Sequence, residues 1–210
     1  MHLPFSQYKF HTILIDLSLD SNRLFGKISP KRRQKIRSAY KERIKIKQEK
    51  LNDNLLKEFV YLYRKYQVVK GNYLISPWSI KALQDNLKIF KGIHDNKTLV
   101  MDIVLHDGCT AYRWMRARNE AIESKASTYI GGALIWEMIQ YFKRNGYQTL
   151  DLGGHNYFKR TFGGDMVPFY NYQSILSPIP KLIIKGKPIL SRLPGILLKP
   201  FFGAKNFPGF

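Results

Sequence analysis

The chain has 210 residues, 44% apolar and 14% aromatic, which is enough to build a core and excludes a disordered polyelectrolyte. Its 35 Lys and Arg against 15 Asp and Glu give a net charge of +20. A field of that sign attracts phosphates on nucleic acid, anionic lipid or a nucleotide-linked substrate, or else serves solubility alone. A single cysteine, Cys109, excludes an intrachain disulfide and a cysteine-based zinc site. No metal is expected.

The opening MHLPFSQYKFHTILIDL lacks the basic start and apolar run of a signal peptide, and no run reaches the length of a membrane span. The expected location is the cytoplasm, with peripheral contact at the inner face of the membrane. His11 to Leu17 is a β-branched apolar run and predicts a buried strand. Asp20 or Ser21 caps a short turn before Phe25. Ser29-Pro30 then starts a helix, with Ser as cap and Pro in the first turn.

Lys31 to Lys50 carries ten basic and two acidic residues. Ile36, Ala39 and Ile44 give it a thin apolar stripe, so it reads as one amphipathic helix whose basic face is either simply solvated or in contact with phosphate. Asn54 to Tyr66 has apolar residues at helical spacing. Val68 to Tyr73 reads as a loop. Ser76-Pro77 repeats the cap signal and predicts a helix over Trp78 to Phe90, with Ile80, Leu83, Leu87 and Phe90 inward.

The period then changes. Thr98 to Leu105 is a strand, His106-Asp107-Gly108 a hairpin turn, and Thr110 to Arg118 a second strand. Simple alternation places Ala111, Arg113, Met115 and Ala117 on one face. Tyr112, Trp114, Arg116 and Arg118 fall on the other, an aromatic and basic surface rather than a plain core face. Asn119 to Thr128 reads as a loop and Ile130 to Asn145 as a helix ending at Asn145-Gly146. Tyr147 to Leu152 is a short strand entering Gly153-Gly154. A short helix follows over Asn156 to Phe162, then a last strand over Val167 to Leu176, with Pro168 suited to an edge.

From Ser177 on, the composition is proline-rich, basic and apolar. Six of the ten prolines lie there, and no acidic residue follows Asp165. The segment 178–205 suits either an anionic bilayer surface or a wrapping arm. The expected organisation is therefore a domain over 1–176 and a tail over 177–210. The order of elements implies a mixed sheet whose parallel pair splays apart beside the Ile130–Asn145 helix and opens a ligand site.

The motifs DLGG (Asp151 to Gly154) and FKRTFGG (Phe158 to Gly164), preceded by a helix with Trp136, resemble the GNAT-like acyltransferases. They are most similar to the Fem-type branch, the peptidoglycan-bridge aminoacyltransferases. TILIDL (Thr12 to Leu17) and the Arg33, Ile36, Arg37, Ala39 pattern extend the resemblance over Thr12 to Tyr172. It implies an α/β (α+β) fold with a GNAT-like mixed central sheet flanked by helices. It also implies transfer of an acyl or aminoacyl group to an amine of a cell-envelope or polysaccharide precursor. The resemblance places Lys159 at the active site, with Phe158 beside it.

Lys159 is the candidate for stabilising an oxyanion or a donor phosphate, or else an exposed helix lysine. His155 and Asp151 are candidate bases, histidine being the side chain that titrates nearest neutrality; the alternatives are a turn histidine and a cap of the glycine turn. Candidate binding residues are Gly153, Gly154, Tyr129, Gly131, Gly132, Tyr112, Trp114, Arg116, Arg118, Arg33 and Arg37. The resemblance implies acyl-CoA or aminoacyl-tRNA as donor. The stretch SKASTYIGGAL lacks the Gln or Arg three residues before a G-x-G/A that marks the acetyl-CoA loop of ordinary GNAT enzymes, which together with the charge leans toward tRNA. Expected partners are a phosphate-bearing donor or acceptor (CoA, tRNA or a lipid-linked precursor). With room for one GNAT unit plus part of another, the acceptor site is completed in a homodimer or is absent. The competing expectation is a non-catalytic protein that binds RNA or an anionic membrane through its basic surfaces.

Overall fold

The computed structural model describes residues 5–70, 76–122 and 124–174. The expected arm 177–210, with its membrane contact over 178–205, lies outside these residues. The chain divides into two compact units. One, His11–Phe169, holds the elements that form the site. The other joins Met1–Phe10 to Tyr170–Phe210, and its described parts belong to the first and last strands.

The strands are β1 (Phe5–Asp16), β2 (Lys45–Glu49), β3 (Leu87–His94), β4 (Lys97–His106), β5 (Thr110–Arg118), β6 (Thr149–Asp151) and β7 (Asp165–Ser174). They form a seven-stranded sheet in the order β2-β3-β4-β5-β6-β1-β7. The pair β5–β6 is parallel, and its neighbours β4–β5 and β1–β6 are antiparallel. The helices are α1 (Ser21–Lys27), α2 (Pro30–Lys41), α3 (Asp53–Lys70), α4 (Pro77–Lys81), α5 (Lys125–Arg144) and α6 (Tyr157–Arg160). This is the mixed sheet flanked by helices expected from the sequence.

Each sheet face has its own core. Val100, Val104, Ala111 and Phe90 pack with Ile36 and Ala39 of α2 and with Ile130, Leu134, Met138 and Phe142 of α5. Met101, Ile103, Met115 and Ala117 pack with Leu55, Phe59 and Leu62 of α3. Alternation along β4 sends successive side chains to opposite cores, so the strand reads as continuously apolar. The exception is Asp102, fully buried on the α2/α5 side.

Several local expectations are corrected. The basic helix is shorter than the stretch Lys31 to Lys50: it ends at Lys41, Arg43 takes φ +56°, and Lys45–Glu49 pairs with β3 as an edge strand. The apolar residues Ile44 and Ile46 are spaced by two, a strand period that the upstream helical stripe obscures. Likewise the helix expected over Trp78 to Phe90 stops at Lys81, and β3 begins at Leu87. Leu87 and Phe90 are buried as strand residues, whereas Leu83 is exposed. Asp95 and Asn96, both at positive φ, make the two-residue turn that joins β3 to β4.

Three boundaries also move. Helix α3 runs on to Lys70, into the expected loop, and β7 begins at Asp165. As the last strand in the order, β7 is an edge, where Pro168 removes no interior ladder donor. Helix α5 starts at Lys125, inside the expected Asn119–Thr128 loop, because the Ser124 side chain caps the Ser127 N–H. Replacing Ser124 with Ala removes that cap and is expected to cost about 1 kcal/mol. Urea unfolding would register it as a lower midpoint with an unchanged slope.

Candidate active site at the splay of the parallel strands

Strands β5 and β6 stay paired over three residues each, ending at Tyr112 opposite Asp151. Beyond that point β5 continues to Arg118 while β6 gives way to Gly153-Gly154. The opening between them is the expected splay. Both glycines have positive φ, +68° and +64°. A Cβ on Gly153 would lie 2.6 Å from the Arg113 carbonyl, so only glycine lets the chain leave the sheet this close to β5.

Where the strands part, β5 carries a bulge. The β4 register shifts between Ile103, opposite Met115, and Val104, opposite Arg113, leaving Trp114 as the extra residue. Strict alternation therefore fails, correcting the expected two faces of β5. Ala111 packs in the α2/α5 core, while Met115 and Ala117 pack in the α3 core. Arg113 and Arg116, expected on opposite faces, come together on Asp102. Arg113 Nε donates to Asp102 Oδ2 at 2.6 Å. Arg116 Nε and Nη2 donate to Oδ1 and Oδ2 at 2.7 and 2.8 Å. The two arginine side chains are 9% and 20% exposed and the carboxylate is fully buried.

Burial opposes the charge of Asp102, but the two guanidinium groups outweigh it and hold its carboxyl below the ordinary aspartate range. The partners respond differently. Burial lowers Arg113, which makes one bond to the carboxylate, whereas at Arg116, which grips both oxygens, the attraction overcomes burial and raises it. Neither Asp102 nor the pairing of Arg113 was foreseen as part of a site. The available signal was an aspartate in the middle of TLVMDIVL, where an apolar strand must supply a buried charge with cationic partners.

Lys159 sits at the same opening. Asn156 caps α6 by accepting the Lys159 N–H, and Lys159 Nζ donates to the Gly154 carbonyl at 3.4 Å. Burial, then repulsion from Arg113 and Arg116, brings its ammonium down to about 8, against a smaller opposing pull from Asp151 and Asp102. Phe158 anchors the helix: its ring meets Phe162 at 5.5 Å and lies under the Arg32 guanidinium at 4.2 Å. Arg32 Nε also donates to Thr161 at 3.1 Å. Arg32 is thus the α2 arginine that reaches the site. Arg33 binds the Gly26 carbonyl, and Arg37 lies over the Phe25 ring at 5.5 Å.

Asp151 accepts from the Thr12 hydroxyl and from the Gly153 N–H, so its carboxylate holds the glycine turn against β1. His155 is exposed, its ring 6.0 Å from that of His11. Tyr112 donates to Asp107 at 3.1 Å, and Tyr112 and Trp114 are each more than a third exposed. Arg118 stands apart, 3.9 Å from Glu120 and beside a cleft lined by Leu62 and Lys65. Gly131 and Gly132 lie within α5, inside the helix expected from Ile130, and Tyr129 lies in its first turns, so the two glycine N–H groups fall within the helical ladder. Gly132 lets α2 approach, a Cβ there meeting Arg32 at 3.3 Å, and Gly131 faces Arg116 and Phe158. Among the described residues, no group of His, Cys, Asp and Glu side chains could hold a metal ion. No described helix is long and apolar enough to cross a membrane.

Removing the Asp102 carboxylate by substitution with Ala leaves two buried guanidinium groups uncompensated, at an expected cost of roughly 3–5 kcal/mol in chemical denaturation. In the native chain the contribution of Asp102 is present above the ordinary aspartate pKa and is lost as pH falls through its lower folded value. The acid limb of the stability curve should therefore flatten in Asp102→Asn. Gly153→Ala is expected to destabilise by roughly 1–3 kcal/mol from backbone strain alone, measured in the same way.

No protein-family model matches the chain, and no curated protein matches it by sequence. Solved structures do match. The crystal structure of FemX superposes with a TM-score of 0.64 at 14% identity, over 82% of this chain and 63% of that one. The C-terminal domain of a putative lysylphosphatidylglycerol synthetase from Agrobacterium fabrum gives 0.64 at 11% identity, over 89% and 66%. L-PGS from Bacillus licheniformis gives 0.57 at 13% identity, over 90% and 68%. The chain spans about two thirds of the length of these structures. At such identities the likeness concerns the fold, and the fold of this chain is GNAT-like.

Proposed function

We propose that the chain is an N-acyltransferase that moves an acyl or aminoacyl group from a phosphate-bearing donor, acyl-CoA or aminoacyl-tRNA, to an amine of a cell-envelope or polysaccharide precursor. The observation that carries this reading is Lys159. It is a half-buried ammonium at the mouth of the splayed parallel pair, bonded to a carbonyl rather than to a carboxylate. The likeness of the fold to FemX and to L-PGS supports the same reading, and so does the net charge of +20.

In this reading the acceptor amine attacks the donor carbonyl and a C–N bond forms as negative charge develops on the carbonyl oxygen. Lys159 donates to that oxygen, where a preplaced cation in a partly desolvated site stabilises more than the same cation in water. Collapse of the intermediate breaks the bond to the donor's sulfur or oxygen, and the leaving group takes up a proton. His155, exposed at the same strand end, receives the proton that the amine loses. Asp151 and Gly153 fix the turn, and Phe158 fixes α6, so that Lys159 faces the opening.

Lys159→Ala is expected to lower kcat by about 10²–10³ with the chain still folded. Lys159 works as a cation and its pKa lies at about 8, so the rate should fall as pH rises through that value. A rate that instead rises through the same pH would make Lys159 the base. Incubating the chain with acetyl-CoA or aminoacyl-tRNA and an amine-bearing precursor, with product mass spectrometry, tests the transfer itself. If Lys159→Ala leaves transfer untouched while charge reversal at Lys31, Arg33 and Lys41 abolishes ligand binding, the binding-protein reading replaces this one.

A further inference from the structure

The pair of arginines on Asp102 exceeds what a buried carboxylate requires. One guanidinium neutralises one aspartate, and a second leaves a buried site with an uncompensated charge, which is costly unless another anion completes it. The surplus is increased by Lys159, whose Nζ bonds the Gly154 carbonyl and no carboxylate among the described residues, and by Arg32, which stacks on Phe158. The nearby carboxylate of Asp151 is already engaged by Thr12 and Gly153.

The geometry of the surplus is directional. Arg116 commits Nε and Nη2 to Asp102, and its Nη1 has no hydrogen-bond partner among the described residues. That Nη1 lies beside Gly131 of α5, 3.5 Å from where a Cβ would stand, while the ring of Phe158 lies 3.7 Å from the same point. Arg113 commits Nε to Asp102 and Nη1 to the Leu152 carbonyl at 3.5 Å, bonds that leave its Nη2 unused, and Tyr66 stands near enough to act electrostatically on both arginines. Both guanidinium planes are fixed by Asp102, so their remaining N–H groups are preorganised donors at the splay. Planar forks of this kind match the oxygens of a phosphoryl group.

We propose that Arg113 and Arg116, oriented by Asp102 and roofed by Gly131, form a subsite for a phosphoryl group of the substrate. This deepens the transferase reading of the same site by stating what is bound beside Lys159: two or more phosphate oxygens, taken by Arg116 Nη1 and Arg113 Nη2. Asp102 is a positioning residue, acting through the two arginines. The absence of a side chain at Gly131 keeps the space next to Arg116 open.

The test is binding of inorganic pyrophosphate to the full chain, measured calorimetrically at an ionic strength held constant with sodium chloride. Arg116→Gln and Arg113→Gln are each expected to weaken binding by about tenfold or more. Gly131→Leu keeps every charge, improves helix propensity and fills the space beside Arg116, and should weaken binding as strongly. Lys31→Gln, which removes one exposed α2 charge, should change binding less than twofold. Melting curves establish that each variant folds; if an arginine variant does not fold, Gly131→Leu carries the test.

Loss of binding in Lys31→Gln equal to that in Arg116→Gln, or unchanged binding in Gly131→Leu, overturns the subsite in favour of diffuse attraction. Succinate binding as tightly as pyrophosphate, with the same dependence on Arg116, overturns the phosphoryl assignment. Coenzyme A and geranyl pyrophosphate, titrated in turn, distinguish a nucleotide source from a lipid-linked one, and independence of both from Arg116 overturns the proposal. Binding needs no turnover, so these outcomes stand apart from the transfer assay on Lys159.

Discussion

The site depends on one buried carboxylate. Asp102 sits on β4 between Val100 and Val104, in a stretch, Leu99 to Val104, that is otherwise apolar and fully buried. In that setting its charge is tolerable only when it is paired, and two arginines from β5 meet it on the same face of the sheet. A regular strand cannot supply them, because Arg113 and Arg116 are three residues apart and an uninterrupted pleat sends them to opposite faces. The bulge at Trp114 resolves the conflict. It turns β5 over between Ala111 and Met115, brings both guanidinium groups onto Asp102, and turns Met115 and Ala117 into the α3 core.

The same place is where β5 and β6 separate, and the two events reinforce each other. A bulged strand twists more strongly and pairs less readily beyond the bulge. On the other side of the opening, Gly153 and Gly154 take the chain out of the sheet at positive φ. Asp151 holds this turn, and α6 returns Lys159 to the opening. The lowered pKa of Lys159 follows from this arrangement: it is half-buried, and its nearest charges include two arginines that Asp102 only partly offsets. Packing, strand register and site electrostatics are therefore one structure, and a change at Asp102 would be felt at Lys159 without contact between them.

Much of the scaffold was legible because its signals are local. The β-branched run of β1, the Asp-Gly turn between β4 and β5, the broad apolar face of α5 and the glycine pair after β6 each depend on residues close in sequence. Expectation and structure differ where two periods coexist. Ile36, Ala39 and Ile44 satisfy a helical stripe, yet Ile44 and Ile46 also satisfy a strand, and the vacant edge of β3 decided for the strand. Leu87 and Phe90 fit a helix at i, i+3, yet β4 pairs with them as part of β3. Arg33 and Arg37 looked like the α2 residues that face a ligand, but the packing of α2 against α5 at Gly132 turns Arg32 there instead.

The sequence by itself determined the mixed sheet with flanking helices, the strand end at DLGG, and the place of Lys159 in a short helix after it. These follow from hydrophobic period, turn residues and caps, which act over a few residues. Tertiary structure alone decided that Asp102 gathers Arg113 and Arg116, that Gly131 faces Arg116 and Phe158 while Gly132 faces Arg32, and that Asp151 is bonded to Thr12 of β1. Each of these is a long-range pairing across strands or between helix and sheet. The energy of a buried charge depends on which distant groups surround it, and no local pattern records that.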